Sequence, residues 1–187
     1  ERALMLASIG TLIAAAYLAG ALVVLARRKP GYSHIKHTIS ELGERGAPDE
    51  RLVAVGVFLP VGLAMLGVAF LSYPAHAPIA ALAACIAVGY GGAAIFPCDP
   101  GSPTVGSARQ GAHNLTGAVE YIGGGFALIT IAETYGDAFK LLGFAVLAAT
   151  AVLSLAPANP VRGLVQRVAE LCLFGGLAWA AWLANTR

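Results

Sequence analysis

Six apolar runs, at residues 4–26, 52–73, 77–96, 112–132, 138–156 and 164–184, occupy this 187-residue chain almost end to end. Each is close to the about 20 residues that a helix needs to cross the hydrocarbon core of a bilayer. Backbone in that core must satisfy its own hydrogen bonds, which leaves helices as the way for such runs to fold. The expected fold is all-α: a single domain over residues 1–187, an integral membrane bundle of six transmembrane helices. Hydrophobic residues make up 58% of the chain, charged residues only 12%, and mean hydropathy is +0.74. A soluble domain of this size needs far more charge to cover its surface. The first run is too long for the apolar region of a signal peptide, and its basic cluster, Arg27-Arg28-Lys29, follows the run instead of preceding it. It reads as a retained span. Pro60 predicts a kink in the second.

The connections at 74–76, 133–137 and 157–163 are short, so sequential helices should be antiparallel neighbours in one bundle. Two others, 27–51 and 97–111, are longer. With an even number of spans, both lie on one side together with 157–163. That side carries Arg27, Arg28, Lys29, Lys36, Arg45, Arg51, Arg109, Arg162 and Arg167, against Arg2, Lys140 and Arg187 on the other. The positive-inside rule makes the long loops cytoplasmic and leaves both termini outside, in a bacterial inner membrane. A net charge of +2 with no long basic run argues against nucleic-acid binding. Cys85, Cys98 and Cys172 have no paired spacing and describe no disulfide framework. There is no repeat of the inverted-transporter kind.

The residues that could do chemistry gather on the loop-rich side. In the first long loop, Ile35, Ile39 and Leu42 share one helical face, while His34, His37 and Glu41 share another. This predicts a short interfacial helix that buries its isoleucines and aims two imidazoles and a carboxylate at the bundle, ended by Gly43 and Gly46. Pro97-Cys98-Asp99-Pro100-Gly101 predicts a rigid turn that fixes the Asp99 carboxylate, and the Cys98 thiol with it, at the bundle mouth. In the fourth span His113, Gly117, Glu120 and Gly124 fall on one stripe. Glu120 lies roughly 12 Å along its run, where a carboxylate is expensive unless protonated, paired or wetted. Glu170 and Arg167, in the first turns of the sixth span, are spaced to pair with each other. His76 is on the opposite side, in a tight turn.

Ile39-Ser40-Glu41-Leu42-Gly43 with Gly46-Ala47-Pro48, then Phe96-Pro97-Cys98-Asp99, then His113-Asn114, resembles the pattern of domain-of-unknown-function family 998, small multispan membrane proteins mainly of bacteria and archaea. The resemblance covers nearly the whole chain. It implies a six-helix bundle with these loops as its signature, and it brings no activity.

Three functions are consistent with this arrangement. The first is a metal-dependent enzyme acting on a lipid or another amphiphile. His34, His37, Asp99 and His113 would be ligands for a divalent metal such as zinc, Glu41 or Glu120 the general base, and Ser40, Asn114, Arg167 and Glu170 the polar surroundings. A haem held by two histidines ranks below it. The second is a non-catalytic module that binds membrane lipids, a membrane-protein partner or a second copy of itself. The third is a proton-coupled carrier using Glu120 and Glu170. No His-Glu-x-x-His motif supports the first, and nothing polar continues the route that the third requires.

Overall fold

The computed structural model describes residues 2–156 and 158–186. Expectations resting on Glu1, Pro157 or Arg187, including the share of Arg187 in the charge asymmetry, lie outside the described residues. Six helices are long and apolar enough to cross a membrane: α1 (Arg2–Ala26), α2 (Glu50–Ser72), α3 (Ala77–Ile95), α4 (Ala108–Tyr135), α5 (Ala138–Leu155) and α6 (Arg162–Asn185). No strand occurs among the described residues. Each helix packs on the next and α6 returns to α1, closing a ring, with α6 also reaching across to α3 and α4. Large apolar side chains such as Ile13, Phe70, Leu141 and Leu171 face outward, as a lipid-facing surface requires.

Lipid tails are as apolar as leucine, so burial alone does not hold such helices together, and small residues must bring backbones into contact. A Cβ on Gly62 of α2 would stand 2.9 Å from the Gly91 nitrogen of α3. One on Gly143 of α5 would stand 2.6 Å from the Gly125 carbonyl oxygen of α4. At the end remote from the long loops, Leu128, Ile131, Phe139 and Leu177 are fully buried, and Phe139 stacks on Trp179 with ring centroids 4.5 Å apart.

Two spans are interrupted by a single π turn. In α2 the turn covers Ala54–Phe58. Its cause is Pro60, which lacks an N–H and clashes with the carbonyl four residues before it, that of Gly56. The freed Gly56 carbonyl accepts the Tyr17 hydroxyl of α1. The second π turn, Val119–Gly123 in α4, carries Glu120 and Tyr121, and both are buried.

The two long loops meet at one end of the bundle, where the Arg45 N–H donates to the Cys98 carbonyl at 2.9 Å and the Gly101 N–H to Glu44 Oε2 at 2.7 Å. The helix in the first loop is shorter than the sequence pattern predicts, one turn of 3₁₀-helix at Ser40–Gly43. Ile39 and Leu42 are buried as expected, but Ile35 is exposed. Residues 33–37 close a separate turn: the His37 N–H donates to the Ser33 carbonyl at 2.8 Å, and the Ser33 N–H to His37 Nδ1 at 2.9 Å.

Candidate functional site

The residues that the sequence places at the bundle mouth fall into four separate groups. The turn holding His34 and His37 docks on the start of α6, where Gly163 lets backbones touch: a Cβ there would lie 2.2 Å from the His37 carbonyl. Arg167 fastens it, donating to the carbonyls of His34 at 2.8 Å and His37 at 3.0 Å and to the Tyr32 hydroxyl at 2.7 Å. Arg167 is thus occupied by neutral acceptors and forms no ion pair with Glu170. His34 is largely exposed, and the partial desolvation of its ring, with the neighbouring guanidinium, holds its pKa below the ordinary imidazole value.

Glu41 is spent locally. Its Oε1 accepts from the Thr38 N–H at 2.8 Å and the Thr38 hydroxyl at 3.0 Å, while the Glu41 N–H faces Thr38 Oγ1 at 3.4 Å. This is a capping box, readable in Thr38-x-x-Glu41, and it turns Glu41 Oε1 toward its own loop. Asp99 holds the start of α4. It accepts from the Ser107 N–H at 2.7 Å and the Ser107 hydroxyl at 2.9 Å, and these bonds keep its carboxyl below the usual range. Cys98 is buried beside it, with its thiol pushed up to about 12 by that burial, so it is no reactive nucleophile. Asn114 pins the second loop, donating to the Thr104 carbonyl at 3.0 Å and accepting from Gln110 at 2.7 Å. Among the described residues no three His, Cys, Asp or Glu side chains gather as a metal-holding group. His34, His37, Asp99 and His113 are dispersed by these separate attachments.

The remaining residues do meet. A cavity of about 300 Å³ opens at the loop end, with Ser40, His113, Tyr90, Glu120 and Glu170 in its polar wall. That is the lower end of the range for small-molecule sites. Its outer wall lies between α4 and α5, at the exposed Ile122 and Ser154 and the half-buried Leu153. Arg162 stands at the mouth, donating to the carbonyls of Gly101 at 2.9 Å and Ser102 at 2.8 Å. Ser102 takes a φ of 45°, in the left-handed region that costs a non-glycine residue of order 1 kcal/mol. The two arginine bonds hold it there.

The floor is unusual in its polar atoms. Tyr121 donates to Glu170 Oε1 at 2.5 Å and accepts from Gln166 at 2.9 Å, so one side of that network is complete. Glu120 Oε1 is buried without a hydrogen-bond partner, and Glu170 Oε2 and the Tyr90 hydroxyl, whose side chains adjoin, are buried without a well-formed one. Leaving such groups unpaired costs about 1–3 kcal/mol each. Tyr90, which lines the cavity, is clamped edge-on between Phe58 and Phe174, with centroids at 5.8 and 5.9 Å. Glu120 itself fits only because Gly89 faces it; a Cβ there would lie 1.9 Å from Glu120 Oε2. Gly92 makes the same room for Thr116.

Ser40 and His113 form a pair. The His113 Nδ1 is 2.9 Å from the Phe96 carbonyl and its Nε2 is 3.1 Å from Ser40 Oγ. A carbonyl only accepts, so Nδ1 carries the proton and Nε2 is left to accept from the serine hydroxyl. Sequence reasoning placed Ser40 and His113 among the site residues without pairing them, and missed Tyr90 and Gly89. The signal for those two was Gly89-Tyr90-Gly91-Gly92, a hydroxyl amid glycines within an otherwise apolar span.

No curated protein and no solved structure matches the chain. A family described as protein of unknown function (DUF998) matches residues 11–184. With the match running through all six spans, from within α1 to the last turn of α6, the chain belongs to that family of uncharacterised, membrane-type helical proteins.

Proposed function

We propose that the protein binds a membrane amphiphile, its polar head in the cavity and its chain leaving between α4 and α5. The observation that carries this reading is a cavity with two characters: the buried polar side chains of Tyr90, Glu120 and Glu170 on its floor, and apolar Ile122 and Leu153 on its lipid-facing wall. A water-soluble ligand would use the first and waste the second. The charge asymmetry of the loops supports a cytoplasmic orientation for this end, in an inner membrane. The carrier reading is weaker, because Leu128, Ile131, Phe139 and Leu177 fill the bundle beyond the cavity. The dispersal of the expected metal ligands likewise weighs against the metal-dependent enzyme.

Gly117 provides the test. It lines the cavity, and a Cβ there would meet nothing within 4 Å. The Gly117→Phe variant should fold normally and fill the cavity. Saturable binding of a fluorescent lysophospholipid to the purified protein should weaken at least 10-fold in this variant. Unchanged affinity in a correctly folded Gly117→Phe protein would refute the reading.

A further inference from the structure

Ser40 and His113 lie 73 residues apart in sequence, yet their side chains meet in the wall of the cavity, where the serine is half-buried and the histidine buried. We propose that they are a nucleophile and its general base, and that the protein is an acyl-transfer enzyme acting on ester-bearing lipids; this rests on the amphiphile reading. The three parts of an activated nucleophile are present. Ser40 Oγ is within hydrogen-bond reach of Nε2, and the imidazole is oriented from behind by the Phe96 carbonyl on Nδ1. Tyr90 lines the same cavity, and its hydroxyl is the donor this proposal assigns to a developing oxyanion.

Depth agrees with this chemistry. His113 is in the second turn of α4, roughly 8 Å from the helix start at Ala108. The ester carbonyls of a glycerolipid lie at the corresponding boundary between headgroups and hydrocarbon. A hydrogen bond that served only to pin the 3₁₀ turn onto α4 would require no cavity at the serine.

The reaction balances with water or a second alcohol as co-reactant. Ser40 Oγ bonds to the ester carbonyl carbon as its proton passes to His113 Nε2. The bond from that carbon to the alcohol oxygen then breaks, and Nε2 returns the proton to the departing alkoxide. The acyl-serine is next attacked by water, whose proton Nε2 takes; the bond to Ser40 Oγ breaks and the hydroxyl is restored.

The experiment treats the whole protein, in mild detergent, with an alkyl fluorophosphonate and follows intact mass and peptide maps. The wild type should gain one phosphonyl group, on Ser40, with loss of fluoride. Ser40→Ala should gain none while eluting from size exclusion in detergent as the folded wild type does. His113→Gln, which keeps a polar side chain in place, should label about 10²- to 10⁴-fold more slowly. A wild type that binds the lysophospholipid but takes no label overturns the proposal and spares the amphiphile reading. Equal labelling of Ser40→Ala, or an undiminished rate in His113→Gln, also overturns it. If Gly117→Phe binds lysophospholipid normally, the underlying reading is what fails.

Discussion

At the end remote from the loops, α4, α5 and α6 meet through Leu128, Phe139 and Leu177, all without solvent exposure, and through the Gly125–Gly143 backbone contact. About two turns nearer the loops, the same helices surround a cavity. There Gly117 faces open space, and Glu120 has a carboxylate oxygen with no partner. The two ends share helices and differ in side chains. Close packing at one end supplies a rigid frame, and that frame lets the other carry gaps and unpaired polar groups without collapsing. Close packing and the candidate site are therefore separated along one bundle axis.

The sharpest way to break this comparison is to hollow the packed end. Phe139→Ala removes a fully buried ring stacked on Trp179 and should cost about 3 kcal/mol or more, read as a lower unfolding midpoint in detergent. Gly117→Phe, the larger change in volume, should move the same midpoint by less than about 1 kcal/mol. Equal effects would show that the cavity end is as tightly packed as the other. A smaller effect separates the two acids. Glu170→Ala strands the Tyr121 hydroxyl and should cost about 1–3 kcal/mol, whereas Glu120→Gln loses no hydrogen bond and should cost less than about 0.5 kcal/mol. A larger loss for Glu120→Gln would mean that Glu120 supports the fold.

The smallest effect is electrostatic and belongs to the loops. The Asp99 carboxyl is held below its ordinary value chiefly by the Ser107 N–H and hydroxyl. A carboxylate depressed in the folded state stabilises fully above its unfolded pKa, and that contribution fades as pH falls through the folded value. The Asp99→Asn variant should therefore be less stable than wild type at neutral pH and converge with it in strong acid. A constant difference at every pH would sink this account.

The spans were legible because length and hydropathy are written directly in the sequence. The four-residue extension of α4 beyond its apolar run was not, since Ala108–Gly111 is polar and its helix depends on the Ser107 cap, which accepts from the Gln110 N–H at 3.3 Å. The loop chemistry was half legible. A helical wheel puts His34, His37 and Glu41 on one face, but each side chain found a nearer partner: Arg167 for His34, the Ser33 N–H for His37, Thr38 for Glu41. Short polar segments are decided by such local bonds, which periodicity does not encode. The Ser40–His113 pair joins distant motifs through tertiary packing, so no spacing announces it.

The solid far end also gives the molecule a sidedness. On the proposed reading, a lipid entering between α4 and α5 would be stopped by the buried Leu128 and Phe139 and would depart through the leaflet from which it came. Where the two leaflets differ in composition, the direction in which the chain inserts would then select the pool of molecules it could sample. Reversing that insertion would change its clientele without altering one residue of the pocket.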